Sequence, residues 1–427
     1  MAEQNLKCNG ALRYNTTRMK EQEHLPTFND FDLDKRCTRV LRQMKITTPT
    51  PVQAQAIPPA LQGRDIVATA QTGTGKTLAF ALPSLTRLAR EGKSKKNRML
   101  VLAPTRELCI QVELVITDFC KALGMHSAPI YGGVGMHPQT TKLKRGCDIV
   151  VATPGRLLDH LSRGTLHFKD LEIVVFDEAD RMLDMGFLPD IRRILKLLPQ
   201  KRQTLMFSAT FPAAIERLTR DMMHQPERIS AGQQSKPVAT LQQLLVPVRE
   251  EEKMTMLTAI LEEKEIDSAL IFLRTIRRTD RVARLLKKKH YKATAIHGDL
   301  PQAKRQRALE GFRKGKYKIL VATDVAARGL DIDDISHVIN YDIPQHPDDY
   351  LHRIGRTARA ARDGNAITFA TPADHTALGA VEQALGYNIE RKEYAGAPRL
   401  LTLFTPPDKR AKKTTGRRRG RGLLRRR

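Results

Sequence analysis

What most constrains this chain is a rhythm: short runs of β-branched and other apolar residues, each followed by a polar or glycine-bearing segment and then a helix-like stretch. In the first half such runs stand at Ile66–Thr69, Met99–Ala103, Ile149–Ala152, Ile173–Phe176 and Thr204–Phe207. In the second half they return at Ala269–Leu273, Ala293–Ile296, Ile319–Ala322, His337–Asn340 and Ala366–Ala370. The runs are continuous rather than alternating, as strands must be when both faces of their sheet are covered, which is the situation of a parallel sheet. At roughly 100–200 residues per domain, 427 residues exceed one domain. The expected architecture is α/β, with two parallel-sheet domains in tandem. Their expected bounds are 27–224 and 242–395, preceded by an N-terminal extension over 1–26. They are joined by a linker over 225–241, where Pro226, Gly232, Ser235 and Pro237 fall, and are followed by a basic tail over 396–427. From Asp408 to Arg427 there are 11 basic residues and one acidic, with too little apolar content to order alone.

Lysine plus arginine number 73 against 46 aspartate plus glutamate, and the resulting net charge of +27 favours a polyanionic partner. Nucleic acid is the first candidate and an anionic membrane surface the second. No stretch approaches the ~18 consecutive apolar residues of a spanning helix, which weakens the membrane reading. Met1 to Pro26 is polar and lacks the apolar segment of a signal peptide, so a cytoplasmic location is expected. The five cysteines (Cys8, Cys37, Cys109, Cys120, Cys147) are widely spaced with no C-x-x-C, which indicates neither a disulfide framework nor a zinc site.

Ligands of open α/β sheets bind beyond the carboxyl ends of the strands, and the unusual segments fall at such ends. The run Ala70-Gln71-Thr72-Gly73-Thr74-Gly75-Lys76-Thr77 follows a strand and reads as a P-loop with alanine at its first glycine position. Its glycines let backbone N–H groups approach phosphate oxygens, Lys76 reaches the β- and γ-phosphates, and Thr77 can ligate Mg²⁺. Asp177-Glu178-Ala179-Asp180 follows another strand of the same half. Alone, such a tetrapeptide is a solvated turn. In a P-loop domain Asp177 becomes a metal-holding aspartate and Glu178 the group that orients the attacking water. The second half has no P-loop but carries His352-Arg353-Ile354-Gly355-Arg356-Thr357-Ala358-Arg359, whose guanidinium groups can stabilise transition-state charge on the γ-phosphate when the domains close.

These segments occur in a fixed order with others: Pro49 to Gln53, Pro104 to Leu108, Gly132-Gly133, Thr153 to Arg156, Ser208-Ala209-Thr210, Ile271 to Thr275, His297-Gly298-Asp299 with Gln302 and Arg305, and Ala322-Thr323-Asp324 through Arg328-Gly329-Leu330-Asp331. In that order the chain, from about Phe28 to about Ala395, resembles a DEAD-box RNA helicase of superfamily 2, and more loosely a bacterial RhlE-type enzyme. The resemblance implies two RecA-like domains and an ATP- and Mg²⁺-dependent enzyme that hydrolyses ATP on RNA and locally opens short duplexes or remodels ribonucleoproteins. It implies that Gln53 reads the adenine edge, that Phe28 stacks on the base as well as packing, and that Asp331 contacts the ribose. Arg356 and Arg359 match the family's arginine fingers, and Lys76, Asp177 and Glu178 its other catalytic positions. Ser208 and Thr210, bonded toward Asp180, match the motif that links hydrolysis to strand separation. RNA contacts are implied at Thr105, Arg106, Gly133, Thr153, Gly155 and Arg156, and at Gly298, Arg305 and Thr323. Small residues there let backbone amides approach phosphates and 2′-OH groups without reading bases, so sequence specificity should be low.

The chain departs from the family pattern at two places: Lys45-Ile46 replaces a Gly-Phe pair, and Ala358 replaces a glycine. An ATP-gated RNA clamp with little unwinding would keep every motif, whereas a DNA helicase is disfavoured by Asp177 to Asp180 together with Gln53. The core is expected to be monomeric, with ribonucleoprotein or RNA-decay proteins as possible partners.

Deleting residues 408–427 is expected to leave RNA-saturated ATPase nearly unchanged while weakening RNA affinity. If the tail touches about three to five phosphates at a time, the log–log salt slope of RNA binding should flatten by roughly 0.7–0.9 for each of them. Identical slopes for the full and shortened chains would show that the tail never touches RNA.

Overall fold

The computed structural model describes residues 26–70, 73–92, 96–230, 241–263, 266–327, 335–357 and 364–392. Gln71, Thr72, Asp331, Arg359, the extension up to residue 25, the middle of the linker and the basic tail lie outside the described residues.

Fourteen strands are described: β1 Ile66–Thr69, β2 Met99–Leu102, β3 Ser127–Ile130, β4 Ile149–Ala152, β5 Ile173–Asp177, β6 Gln203–Ser208, β7 Glu227–Ser230, β8 Leu241–Pro247, β9 Ala269–Leu273, β10 Ala293–Ile296, β11 Ile319–Thr323, β12 His337–Asn340, β13 Gly364–Ala370 and β14 Glu390–Arg391. They form two seven-stranded sheets in tandem, ordered β3-β4-β2-β5-β6-β1-β7 and β10-β11-β9-β12-β13-β8-β14. Every pairing is parallel. Both faces of the central strands are covered by helices, and the side chains divide with the pleat. In the first sheet Met99, Val101, Ile149 and Val151 join one core cluster, while Leu100, Leu102, Val150 and Ala152 join the cluster on the opposite face.

Each of the ten apolar runs coincides with a strand to within three residues at either end. Four strands were not anticipated, and three of these, β3, β7 and β14, are sheet edges. An edge strand need not be apolar throughout and tolerates proline, which is why Ser127–Ile130, with Pro129 inside it, and Glu227–Ser230 read as connecting segments. One boundary changes accordingly. Residues 227–230, assigned to the linker by composition, pair with β1 from Ile66↔Glu227 to Thr69↔Ser230 and complete the first sheet, and Leu241 already opens β8.

Buried charges in the second domain are held in a closed set. Asp342 and Lys253 have side chains only 2% exposed each, with Lys253 Nζ 3.0 Å from Asp342 Oδ1. Arg278 Nη2 lies 3.0 Å from the same oxygen, and the Arg274 backbone N–H donates to Asp342 Oδ2 at 3.0 Å. Asp342→Ala is expected to destabilise this domain by about 3–5 kcal/mol, because it removes the buried carboxylate that Lys253 and Arg278 share and leaves them to the exposed Glu250. The urea midpoint of its unfolding transition should fall, and an unchanged midpoint would contradict this account of the cluster.

Candidate functional site

The site is built where β1, β5 and β6 end side by side. After β1 the chain turns through Gly73 and Gly75, at φ +83° and +84°, into the helix Lys76–Arg90. Glycine at 75 is required twice over: the backbone is left-handed, and a Cβ would stand 2.3 Å from Gln53 Nε2. Gln53 braces this loop. Its Nε2 donates to the Gly75 carbonyl at 2.9 Å, its Oε1 accepts from the Thr50 backbone N–H at 2.9 Å, and Thr50 Oγ1 donates to the Thr74 carbonyl at 2.7 Å. Both ends of the Gln53 amide are thus engaged by the protein, so adenine would share them. Phe28 is 4% exposed, meets Phe31 edge-on with centroids 6.2 Å apart, and packs into the first domain's core, as its packing reading requires. The Ala70 N–H donates to the Ser208 carbonyl at 2.9 Å and ties the loop's first residue to β6.

Beside the loop, Asp177 closes β5 and Glu178 takes a left-handed backbone, φ 55° and ψ 55°, before the short helix Ala179–Asp184. For a residue with a Cβ this conformation costs about 1–3 kcal/mol, and the fold imposes it at this position. Glu178 Oε2 accepts a 2.6 Å hydrogen bond from Arg181 Nη1, with side chains 3% and 2% exposed. Burial would raise the Glu178 carboxyl, but Arg181, Lys76 and Arg356 outweigh it and hold the group below the usual glutamate range. Burial pushes Asp177 up to about 7 against the pull of Lys76. Asp180 is also buried, yet Lys76, the Thr210 N–H and His352 hold it low. Its Oδ2 accepts from the Ala209 N–H at 3.0 Å, the Thr210 N–H at 2.8 Å and Thr210 Oγ1 at 3.0 Å, and its own N–H donates to Ser208 Oγ at 3.1 Å. The structure therefore brings Asp180, Ser208 and Thr210 together. Lys76 Nζ and Asp177 Oδ1 are buried with no hydrogen-bond partner among the described residues. A cation and an anion so placed fit a polyphosphate carrying a divalent metal.

The second domain meets this face. Arg181 shares a cavity of about 10 Å³, room for one water at most, with Phe272, Asp324, His352, Arg353 and Arg356. Within the basic run the residues divide in role. Arg353 is an internal anchor, donating to both Asp324 oxygens at 2.6 and 2.7 Å, to Asn340 Oδ1 at 3.1 Å and to the Asp342 carbonyl at 2.7 Å, with its guanidinium over the Phe272 ring. Among the described residues of the run, Arg356 bears on Glu178 and His352 on Asp180, both carboxylates of the first domain.

The residues assigned to RNA gather elsewhere along the same sheet edges. Thr105 and Arg106 follow β2, Gly133 follows β3, and Thr153, Gly155 and Arg156 follow β4, three neighbouring strands of the first sheet. Gly298 follows β10 and Thr323 ends β11, neighbours in the second sheet. The Arg106 guanidinium lies where a Cβ of Gly133 would stand, with Nη1 1.9 Å from its ideal position, and Gly133 has φ +80°. Arg156 donates through Nη1 and Nη2 to the Val134 carbonyl at 3.0 and 3.1 Å. Gly155 and Gly298 have open space where a Cβ would be. Arg305 has a protein partner instead: its Nη2 lies 3.0 Å from Glu107 Oε1, and Gln302 Nε2 donates to the same oxygen at 3.1 Å.

Sequence reasoning missed Arg181 and Glu107. Arg181 offered a signal, an arginine directly after Asp180, but its pairing to Glu178 depends on the left-handed turn. Glu107 lies inside a recognised motif, yet nothing local names a partner in the other domain.

Comparison with known proteins agrees with this layout. Residues 50–218 match the family model described as DEAD/DEAH box helicase, and residues 252–361 match the helicase conserved C-terminal domain. The chain is 44% identical over 365 residues to the DEAD-box ATP-dependent RNA helicase CshA of Bacillus subtilis, covering 86% of this chain and 74% of that one. It is 45% identical over 356 residues to the ATP-dependent RNA helicase CshA of Listeria monocytogenes, covering 83% and 68%. These relatives do not support the RhlE-type affiliation. Among solved structures it is similar to S. cerevisiae Dbp5 bound to RNA and ADP BeF3, with 32% identity, TM-score 0.78 and coverage of 86% of this chain and 95% of that one. It is also similar to Mss116p bound to ssRNA and AMP-PNP, with 28% identity, TM-score 0.80 and coverage of 91% and 84%. Two RecA-like sheets, a phosphate-binding loop facing an acidic strand end, and relatives of this identity lead to one assignment: the chain belongs to the DEAD-box family of ATP-dependent RNA helicases.

Proposed function

We propose that ATP is hydrolysed at the joined ends of β1, β5 and β6 only when RNA, held across both domains, brings Arg356 against Glu178. The observation that carries this reading is the pair of buried, unpartnered atoms, Lys76 Nζ and Asp177 Oδ1, one wanting an anion and the other a cation. The glycine turn and Lys76 would hold the β- and γ-phosphates, with Gln53 at the adenine. Thr77 and Asp177 are the residues that would hold Mg²⁺, whose charge neutralises the phosphate oxygens. Glu178, kept ionised by Arg181, accepts a hydrogen bond from the attacking water and orients it toward the γ-phosphate. Arg356 supplies charge where the transition state develops it, and Arg359 is assigned the same duty. Asp180 with Ser208 and Thr210 joins the hydrolysis site to β6. Glu107, pairing with Gln302 and Arg305, draws the RNA-facing parts of the two domains together.

Two features support closure of this kind. The similarity to Dbp5 and Mss116p is to structures bound to RNA and a nucleotide or its analogue. A DEAD box protein from Methanococcus jannaschii, 38% identical, superposes with a TM-score of only 0.51, as two similar domains set differently would. Among the described residues no helix is long and apolar enough to cross a membrane. We place the enzyme in the cytoplasm, acting on RNA and ribonucleoproteins. We assign the core a monomeric state.

Glu178→Gln should abolish turnover while leaving ATP and RNA binding largely intact, because the amide keeps the shape but loses the carboxylate that polarises water. Lys76→Ala should weaken nucleotide binding itself. Steady-state ATPase together with nucleotide and RNA titrations checks both, and a parental rate for Glu178→Gln would overturn the assignment. Arg356→Ala should lower RNA-stimulated hydrolysis on the order of 10³-fold with a small change in ATP affinity, since the group acts in the transition state. An unchanged maximal rate would show that Arg356 never reaches the phosphate.

A further inference from the structure

Outside the hydrolysis site the described surface holds a cationic groove. It lies on the second domain, about 540 Å³ in volume, between the helix Ile276–Lys288, the edge strand β10 and the helix Gln302–Arg313. Its cations are Lys287, Lys304, Arg307, Lys314 and Lys316, all exposed, and its acids are Asp280 and Glu310. Both acids are already engaged: Asp280 Oδ1 lies 3.0 Å from His297 Nε2, and Glu310 Oε1 accepts from Gln306 Nε2 at 3.0 Å. The volume falls in the range of small-ligand sites, about 300–1,000 Å³, and what sets this groove apart is the five cations along it.

The groove has a fixed end wall. The Cδ2–Cε2 edge of the Tyr317 ring abuts the helix at Gly311, where a Cβ would stand 2.6 Å from Cε2, and the Tyr317 N–H donates to the Gly311 carbonyl at 3.1 Å. Lys316 Nζ sits 5.7 Å from the ring centroid. An aromatic face framed by lysines suits a nucleobase beside its phosphates better than a free inorganic anion.

Its position selects the occupant further. Leu300 opens the groove two residues after Gly298, and Thr294 and Ala295 of β10 form its floor. Lys304, Ala308 and Gly311 face the groove from one side of their helix, at the i, i+4, i+7 spacing, while Arg305 is turned to Glu107 of the first domain. The helix thus separates two basic tracks that share one origin at Gly298. Twelve residues make it about 18 Å long, enough for several successive phosphates. We infer that this groove is a second RNA track, which carries the single strand leaving the core site past Gly298, along Lys304 and Arg307, to Tyr317. It rests on the assignment of Gly298 to the RNA path and adds length to it: the chain should hold long RNA more tightly than short RNA through contacts that hydrolysis does not need.

The experiment compares the full chain with a variant carrying Arg307→Ala, Lys314→Ala and Lys316→Ala, three exposed positions outside the hydrolysis site. Fluorescence anisotropy with an 8-nucleotide and a 25-nucleotide polyuridine, across a salt series, reads binding, and ATPase saturated with the 8-mer reads the core. The expected result is unchanged 8-mer affinity and ATPase, weaker 25-mer binding, and a 25-mer log–log salt slope flatter by about 2, at ~0.7 for each of the three single-strand phosphates no longer neutralised. The charge-conserving pair Lys314→Arg with Lys316→Arg should keep the parental slope. An unchanged 25-mer slope in the alanine variant, or equal loss for both lengths, would overturn the inference. So would retained 25-mer binding with lost binding of fluorescent polyglutamate, which would make the groove a seat for an acidic protein segment. Failure of the 8-mer to stimulate the parent's ATPase would instead strike the core RNA assignment.

Discussion

The structure turns on a carboxylate buried beside a guanidinium, Glu178 on Arg181, at the end of a central parallel strand. Moving either charge out of water costs several kcal/mol unless partners compensate. Here the partners come from several directions: Arg181 from the same turn, Lys76 from the phosphate loop, and Arg356 from the other domain. Hydrolysis site and domain contact are therefore one electrostatic object. Separating the domains removes a cation from a buried acid, and bringing them together restores it. The left-handed backbone at Glu178 belongs to the same constraint, because it turns the carboxylate toward Arg181.

The order of the first sheet separates the two ligands without isolating them. Strands β3, β4 and β2 end in the residues assigned to RNA, while β5 and β1 end in those assigned to ATP and β6 in those assigned to coupling. The border runs between β2 and β5, paired in register from Met99↔Ile173 to Leu102↔Phe176. Asp180 with Ser208 and Thr210 stands on the nucleotide side of that border, and Glu107 on the RNA side. Both hold partners distant in sequence, Asp180 at 208–210 and Glu107 at 302 and 305, so each reports on assembled tertiary structure as well as on its local turn.

What could be read from sequence follows the same physics. Nine of the ten recognised strands are internal and were legible because a strand covered on both faces must be apolar along its length; the tenth, β10, is an edge whose residues are apolar enough to show. The edges β3, β7 and β14 escaped that requirement, and Pro129 or Glu227 made them look like loops. Lys76 was legible after a glycine turn, and Asp177 and Glu178 at the end of an apolar strand, as the side-chain types that a phosphate and a metal would call for. The bracing of Gly75 by Gln53, the internal anchoring by Arg353 and the pairing of Glu107 with Arg305 were not. Their residue types fit a ligand equally well, and only the folded geometry assigns them protein partners.

The central claim is that neither ligand alone assembles the hydrolysis site. Energy transfer between one dye on each domain, recorded with no ligand, with ATP, with RNA and with both, tests it most directly. The account predicts a large shortening of the interdomain distance only when both are present, with the hydrolysis rate rising in proportion to the closed fraction. Full closure with ATP alone, or rapid hydrolysis while the domains remain apart, would contradict it.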